Sequence, residues 1–233
     1  GTLRVGNSGT VGSLAAATPI TVNADATLAF NRSDTYGGNF ASVISGSGGV
    51  RVLSGVLTLT GSSGYTGPTV VQGGTLALGA GGSILSSSGV QVAAGAAFNV
   101  ASVSGGLTVG ASQTLAGSGT VLGSVVLGGG AKVAPGSSPG TLSITGNATF
   151  GSGGNYDWQI YNATGTAGVT NGWDLVTVGG TLAVASTSAD RFNINLWSLS
   201  GVGPDVNGSA LNFNATTSGT WLIASAEIGR AHV

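Results

Sequence analysis

Residues 55–78 read Gly-Val-Leu-Thr-Leu-Thr-Gly-Ser-Ser-Gly-Tyr-Thr-Gly-Pro-Thr-Val-Val-Gln-Gly-Gly-Thr-Leu-Ala-Leu. Large apolar residues alternate with small or polar ones in residues 56–60 and 74–78. An alternation with a period of two predicts β-strands that bury one face. Gly-rich segments at 61–64 and 73–74 separate the strands, and glycine accepts the positive φ angles that tight turns require. The stretch therefore predicts short strands joined by sharp corners.

The rest of the chain has the same character. Its 233 residues include 45 Gly but only 6 Lys or Arg and 7 Asp or Glu, and residues 52–131 carry no charged side chain. A solvent-facing helix needs charged residues and good helix formers, and each interior Gly costs a helix about 1 kcal/mol. Strand patterns recur at 90–92 and 107–109, with Gly-rich corners at 79–82 and 128–130. The chain is therefore predicted to be all-β.

A short motif recurs at the starts of these strands. Gly-Thr-Leu occurs at positions 1, 74, 140 and 180, and a looser form, Gly with Leu or Val one or two positions later, adds 12, 55, 89, 106 and 119 among others. From 55 to 119 the spacings are 19, 15, 17 and 13, near the lower end of repeats that build solenoids. One such unit cannot bury its own apolar edge, so it must stack on a copy of itself. We expect a parallel β-solenoid.

A β-sandwich is the alternative fold, because it also has short strands and Gly-containing turns. Sandwiches usually carry charged residues on their outward faces and more aromatic residues in the core than the 6% found here. The solenoid is therefore preferred.

Composition also excludes several classes of function. With a net charge of −1 and no cluster of Lys or Arg, the chain has no positively charged surface for binding the nucleic-acid backbone. The chain has no Cys, which excludes disulfides, thiolate metal sites and thiol catalysis. No run of about 18 apolar residues exists to span a membrane, and residues 1–30 show no signal peptide. We expect no cofactor, no metal and no nucleic-acid partner.

An ordered set of motifs occupies residues 46–79. It contains Tyr65-Thr66-Gly67, then Thr69-Val70-Val71, then Gly73-Gly74-Thr75-Leu76. This set resembles the autotransporter-associated β-strand repeat, in which a Tyr-Thr-Gly corner, a Thr-Val strand and a closing Gly-Gly-Thr-Leu follow a first strand. The chain departs from that pattern with Val for Thr at 56 and Pro for Gly at 68. The resemblance implies a right-handed, single-stranded parallel β-helix that is exported and displayed at, or shed from, the bacterial surface.

A second pair of motifs lies further along. Residues 134–142 read Ala-Pro-Gly-Ser-Ser-Pro-Gly-Thr-Leu, and residues 173–182 read Trp-Asp-Leu-Val-Thr-Val-Gly-Gly-Thr-Leu. They resemble a turn and a strand found late in such passengers and in secreted proteins of the PEP-CTERM type. The resemblance therefore implies an extracellular or cell-surface location and leaves the export route open.

The chain changes character after residue 150. All four Trp lie there, at positions 158, 173, 197 and 221, and residues 156–161 and 192–197 alternate strictly with larger side chains than before. We expect residues 1–149 to form a β-helix repeat region and residues 150–226 to add further coils with a wider C-terminal cap. A separate small sandwich is the alternative for 150–226.

Residues 227–233 read Glu-Ile-Gly-Arg-Ala-His-Val, which is the translation of a widely used sequencing adapter in this frame. We therefore expect read-through here, and a natural protein longer than the chain, which begins at Gly1 rather than Met. The segment holds the only His and the only Glu, so neither is considered for chemistry.

Candidate catalytic groups are few. A Ser-His-Asp arrangement needs a His, and only His232 exists. Asp174, Asp190 and Arg191 could form a glycan-cleaving cluster, but Asp174 precedes a strand and the other two sit at a predicted turn. Residues 117–123 miss the dinucleotide-binding spacing by one residue and are predicted to be a turn. We predict no catalytic, cofactor-binding or metal-binding residue. Paired carboxylates would have to come from six Asp, at positions 25, 34, 157, 174, 190 and 205, and only if the fold brings two of them together.

The preferred function is that of a non-catalytic structural passenger, a β-helical stalk that is displayed or secreted and has an adhesive role. It predicts that Leu76→Asp costs several kcal/mol because Leu76 faces the interior, whereas Ser87→Asp on a corner costs little.

Two other functions stay open, so the partner is an unknown surface ligand, a glycan or a second copy of the chain. One is a glycan-binding or glycan-cleaving domain with its site in 150–226, where Trp173 or Trp197 stacks on sugar, although burial of the tryptophans is preferred. The other is a cohesive protein that self-associates edge to edge. Three tyrosines could also stack on sugar if they are exposed, namely Tyr36, Tyr65 and Tyr161.

Overall fold

The computed structural model describes residues 1–15, 18–201 and 206–226. Within these ranges every extended regular element is a β-strand and no helix occurs, which confirms the prediction of an all-β chain. A helix long and apolar enough to cross a membrane is likewise absent from this part of the chain. Asp205 and the predicted read-through at 227–233 lie outside the described residues.

Short strands follow one another along the chain, and many end at a glycine corner, as at Gly74 and Gly130, whose φ angles are 68° and 75°. The strands are β1 (Thr2–Gly9), β2 (Ile20–Thr21), β3 (Thr27–Phe40), β4 (Ile44–Ser45), β5 (Gly49–Leu59), β6 (Thr69–Val71), β7 (Thr75–Leu78), β8 (Gly89–Val92), β9 (Ala97–Asn99), β10 (Leu107–Val109), β11 (Thr114–Gly117), β12 (Thr120–Leu122), β13 (Val125–Leu127), β14 (Lys132–Pro135), β15 (Thr141–Ile144), β16 (Ala148–Gly151), β17 (Asn155–Ile160), β18 (Thr166–Ala167), β19 (Gly172–Trp173), β20 (Leu175–Val178), β21 (Leu182–Ala185), β22 (Asn193–Ser198) and β23 (Ala224–Ala226).

Most of these strands pair side by side in three columns, whereas β2 pairs with β4 and β18 pairs with β19 outside them. The first column contains β1, β3, β5, β6, β8, β11, β14, β17 and β22. The second contains β3, β5, β7, β9, β12, β15, β20 and β23, and the third contains β10, β13, β16 and β21. Every pairing within a column is parallel. We use the word rung for one passage of the chain through the columns.

The recurring Gly-Thr-Leu motif does not measure one rung. Gly74 and Gly140 stand just before strands of the second column, whereas Gly1 precedes β1 in the first column and Gly180 lies before β21 in the third. The motif spacing therefore mixes columns, and the expectation that it gives the repeat length is wrong. The motif marks strand starts, because a strand can begin only after the chain has turned.

Inward-facing side chains form a continuous apolar stack. In the second column Leu57, Leu76, Phe98 and Val121 are register partners in turn, and each is at most 1% exposed. Full burial of such a side chain stabilises the fold by about 1.5–3 kcal/mol. The predicted inward position of Leu76 is therefore confirmed, and one connected core extends from Val5 to Ala210.

The third column has a break before β10. On the earlier side Ser83 pairs with Ser62 of the preceding rung, and on the later side β10 pairs with β13 of the following rung. No described strand pairing joins Ser83 to β10. A groove of about 450 Å³ with mainly apolar side chains lies in this break. Gln113 crosses it, because its Nε2 donates to the carbonyl oxygens of Leu85 at 2.8 Å and Ser87 at 2.6 Å.

The last rungs differ from those before them. β17 points Tyr156 and Trp158 inward, and both are buried. β22 pairs with β17 in parallel along its whole length, so the predicted strand at 192–197 is confirmed with a shift of one residue. Its inward residues Ile194 and Leu196 are nevertheless 47% and 72% exposed, because β17 is the only strand of the described chain that pairs with β22. The domain boundary at 150 and the wider cap stay predictions.

Candidate functional site

The Tyr-Thr-Gly corner turns a tyrosine into the interior. Tyr65 is fully buried, and its hydroxyl lies 2.6 Å from Thr69 Oγ1, which lies 2.9 Å from Ser87 Oγ. Ser87 in turn donates to the carbonyl oxygen of Gly67 at 2.9 Å, so Thr69 donates to Ser87 and Tyr65 donates to Thr69. Burial raises the pKa of Tyr65 well above its ordinary value. The corner is a chain of buried hydroxyl groups that joins two rungs.

The prediction that Ser87 lies on an open corner is wrong. Ser87 is 1% exposed, and its hydroxyl also lies 3.0 Å from the carbonyl oxygen of Gly89. An Asp side chain at this position would be buried and would face the carbonyl oxygens of Gly67 and Gly89, so its cost is large rather than small. A run of serines is typical of a solvated loop, but here a serine hydroxyl satisfies buried backbone carbonyl groups that no strand reaches.

The Tyr-Thr-Gly corner ends in glycine because the backbone of the preceding rung lies close to it. A Cβ atom at Gly67 would overlap the carbonyl group of Gly48 on the preceding rung. Any side chain there would push two rungs apart, so the glycine of the motif is required by packing.

Asp174 binds the two later motifs to each other. Its side chain is fully buried, and its two carboxyl oxygens accept hydrogen bonds at 2.9 Å from the backbone N–H groups of Gly140 and Gln159. Gly140 belongs to the 134–142 turn, and Asp174 belongs to the 173–182 motif. The hydrogen bond from Gly140 to Asp174 therefore fixes the two motifs to each other, which gives a physical reason for both being present.

The environment of Asp174 disfavours its charged form. Burial raises the pKa of its carboxyl group to about 8, although the N–H groups of Gln159 and Gly140 act in the opposite direction. The same group raises the pKa of the neighbouring Tyr156 hydroxyl further, beyond the effect of burial. At neutral pH Asp174 is therefore mainly protonated and acts as a structural group.

The structure does not assemble the catalytic cluster considered from the sequence. Asp174 is inside, whereas Asp190 and Arg191 are exposed at a bend before β22. The Asp190 backbone N–H donates to Thr187 Oγ1 at 3.0 Å, and the Arg191 carbonyl oxygen accepts from the Gly153 N–H at 3.1 Å. Within the described ranges no hydrogen bond or ion pair joins Asp174 to the other two residues. The prediction that Asp174 precedes a strand and that Asp190 and Arg191 lie at a turn is confirmed.

The four tryptophans occupy different environments. Trp158 is buried, and the half-buried Trp173 and Trp221 donate their indole N–H groups to backbone carbonyl oxygens at 2.9 and 3.0 Å. Trp197 is 43% exposed because it lies on the outward face of β22. The prediction that the tryptophans are buried is therefore confirmed for Trp158 and wrong for Trp197.

The tyrosines considered for sugar stacking are less exposed than Trp197. Tyr36 and Tyr65 are buried, and Tyr161 is half-buried.

A surface depression of about 350 Å³ lies beside Trp197 on the outward face of the first column. We call it the polar depression. Its walls come from four rungs and from the 134–142 turn, and they consist of Gln91, Ala134, Pro135, Gly136, Ser137, Asp157, Gln159, Trp197 and Asn207.

Small residues make the floor of the polar depression. Ala116 pairs with Gln91 on one side and with Ala134 on the other, and the same register places Asp157 beside Ala134. Of these two alanines Ala134 lines the depression, and its small side chain leaves a low surface between Gln91 and Asp157.

The opposite wall carries its polar groups in fixed positions. Asp157 lies 2.7 Å from Lys132 Nζ in an ion pair and accepts a hydrogen bond from Asn195 Nδ2 at 2.8 Å. Trp197 is the register partner of Gln159, so the two side chains are neighbours on one face. Three tryptophans donate their indole N–H groups to the backbone, but within the described part of the chain nothing accepts from Trp197.

Sequence reasoning missed the polar depression as a unit. Gln91, Asp157 and Trp197 come from three separate rungs, and the sequence does not show which residues of different rungs are register partners. One signal was available: strict alternation in 156–161 places Asp157 and Gln159 on the same outward face. Among the described residues no group of three His, Asp or Glu side chains is placed to bind a metal ion.

Comparison with known families addresses the earlier motif. Residues 54–78 match the family model of the passenger-associated-transport-repeat. The resemblance to an autotransporter passenger repeat is confirmed. The matched segment contains the Leu57–Leu76 register pair and the buried Tyr65, so the repeat corresponds to stacking of β5 on β7 around a hydroxyl-bonded corner. No curated protein matches the chain.

Proposed function

We propose that the chain is a right-handed, single-stranded parallel β-helix that serves as a non-catalytic structural passenger of a surface-displayed or secreted bacterial protein. The observation that carries this proposal is the passenger-associated-transport-repeat at 54–78. A passenger repeat belongs to exported proteins, and its strands here lie in the middle of the stack rather than in an appended segment.

The strand pairing supports a β-helix. A single strand from each rung enters each column, and the inward side chains stack directly on those of the next rung. Neighbouring strands lie about 4.8 Å apart, so the nine strands of the first column among the described residues form a stack roughly 40 Å long. Rungs of this kind contact mainly their neighbours, which lets them form one after another as a chain leaves the cell.

The polar groups support a structural role. Both carboxyl oxygens of Asp174 are occupied by backbone N–H groups, and Asp157 is paired with Lys132. Asp157 lines an outward-facing depression, whereas Asp174 is fully buried, so these two carboxyl groups do not face one open site as the pair in a glycoside hydrolase does. The absence of Cys agrees with passage through an oxidising compartment.

A display experiment tests the proposal. The chain is inserted between a signal peptide and a translocator domain in a Gram-negative host, and intact cells are treated with protease. We expect the chain to reach the surface and to yield a resistant fragment, because a stacked β-helix protects its backbone. The matched control has the same composition with the residues of 49–144 in scrambled order, and it should be degraded completely. Equal degradation of the two chains would contradict the proposal.

A further inference from the structure

We propose that the polar depression is a binding site for a neutral saccharide of one or two sugar units. This inference goes beyond the scaffold role, because a stalk needs no ligand. It depends on three features of the depression: an exposed indole, unpaired amide groups and a carboxylate whose charge is already neutralised.

Trp197 supplies the surface on which a sugar ring can lie. Its side chain is 43% exposed on the outward face of β22, although the indole is the largest apolar side chain in proteins. The apolar C–H face of a pyranose ring packs against an aromatic face, while the indole N–H donates to a hydroxyl group. That N–H has no acceptor among the described residues, so it is available to a ligand.

The hydroxyl groups of a sugar need donors and acceptors at the rim of the ring. Gln159 stands beside Trp197, and Gln91 stands across the alanine floor. Each side-chain amide offers two N–H donors and one carbonyl acceptor. Within the described residues Gln159 has no side-chain hydrogen bond, and Gln91 makes one weak contact, 3.5 Å from Ser137 Oγ. Both amides therefore keep their hydrogen-bonding capacity for a ligand.

Charge at the site favours a neutral ligand over an acidic one. Asp157 is the only carboxylate among the described residues that line the depression, and Lys132 Nζ lies 2.7 Å from it. The pair adds no net charge, while Asp157 keeps lone pairs that can accept from sugar hydroxyl groups. Lys132 does not line the depression, so an acidic sugar would meet the Asp157 carboxylate rather than the ammonium group, and the two like charges would repel each other.

Size and rigidity agree with a small ligand. A volume of about 350 Å³ lies near the lower end of the range of about 300–1,000 Å³ for small-molecule sites. Two walls are held from inside the protein, because buried Asp174 binds the backbone N–H of Gln159 and that of Gly140 at the end of the 134–142 turn. A site on rigid elements loses little entropy when a ligand binds.

Saturation-transfer NMR tests the inference on the whole chain. The probes are methyl glucoside, methyl galactoside, methyl mannoside and N-acetylglucosamine, with glucuronic acid as the charged comparison. We expect transfer to the ring protons of at least one neutral probe, with affinity in the millimolar range typical of a single ring. Trp197→Ala and Gln159→Leu should each weaken binding by at least about tenfold. Trp197→Phe keeps an aromatic face but loses the indole N–H, so its affinity should lie between those of the parent chain and Trp197→Ala.

Phe213→Ala is the matched control. Phe213 is also an exposed aromatic residue, 56% accessible and stacked on Trp221, but it does not line the depression. Its loss should leave binding unchanged. The inference is overturned if no neutral probe receives transfer, if glucuronic acid binds more tightly, or if folded Trp197→Ala binds as well as the parent chain. None of these results affects the display experiment, which measures translocation and protease resistance.

Discussion

Residues 49–144 and the described residues from 155 onward share the same columns of parallel strands but differ in what the interior contains. The earlier rungs bury aliphatic side chains and a chain of hydroxyl groups. The later rungs bury the carboxyl group of Asp174 and leave β22 largely exposed. Matching register is therefore enough to continue a uniform stack, whereas polar surface features arise where the residue composition of the rungs changes.

The largest expected effect concerns the aliphatic interior of the earlier rungs. Leu76→Asp places an unpaired charge between Leu57 and Phe98 and should lower the free energy of unfolding by at least about 4 kcal/mol. Leu85→Asp makes the same change at a position that is 65% exposed and should cost less than about 1 kcal/mol. Urea denaturation followed by circular dichroism measures both. Equal midpoints would show that the inward face has been assigned wrongly.

The second effect concerns the buried carboxyl group of the later rungs. The pKa of Asp174 is raised to about 8 in the folded chain, from an ordinary value of 3.8. Between these values the unfolded chain has lost a proton that the folded chain retains, so rising pH favours unfolding. Stability should therefore fall between about pH 4 and pH 8, by several kcal/mol in order of magnitude.

Asp174→Asn is the control for this pH dependence, because an amide does not titrate. Its unfolding midpoint should be lower at acid pH, since its NH₂ group must face a backbone N–H, but the slope between about pH 4 and pH 8 should be flatter. Tyr156 stays protonated throughout this range, since its pKa is raised. A parent chain with no slope would contradict the assignment of a protonated Asp174.

The smallest effect concerns the hydroxyl chain of the earlier rungs. Tyr65→Phe removes the first donor and leaves Thr69 with one hydrogen bond fewer, so the expected cost is about 1–2 kcal/mol. Tyr161→Phe is the control, because the half-buried Tyr161 hydroxyl makes no side-chain hydrogen bond within the described residues, and it should change stability by less than about 0.5 kcal/mol. Thermal denaturation of the two variants side by side would sharpen the comparison, and a cost of Tyr65→Phe no larger than that of the control would contradict it.

Much of the local structure could be predicted from the sequence. Alternation in 56–60 and 74–78 identified β5 and β7 and their inward side chains, because a period of two fixes which face a side chain occupies. Rung length could not be predicted, since glycine marks many corners and the chain turns more than once in each rung. Ser87 was misassigned for a related reason: a serine at a corner has the same sequence signature whether it faces water or a buried carbonyl group.

Less of the candidate site could be predicted. Trp197 was noted as a residue that could stack on sugar, but its neighbours Gln91 and Asp157 were not connected to it. Their proximity depends on the register between rungs, which the loops between strands determine and which a single sequence does not reveal. The bond between Asp174 and the 134–142 turn was hidden in the same way, although both motifs were visible.

The break in the third column has a mechanical consequence. Backbone hydrogen bonds within a column run along the stack axis, so they carry any force that pulls the two ends apart. At the level of Leu85 and Leu107 only two columns are continuous, and the Gln113 amide is the polar link that crosses the open side. Under tension the stack should begin to bend or separate at this level, which makes the groove a defined point of compliance.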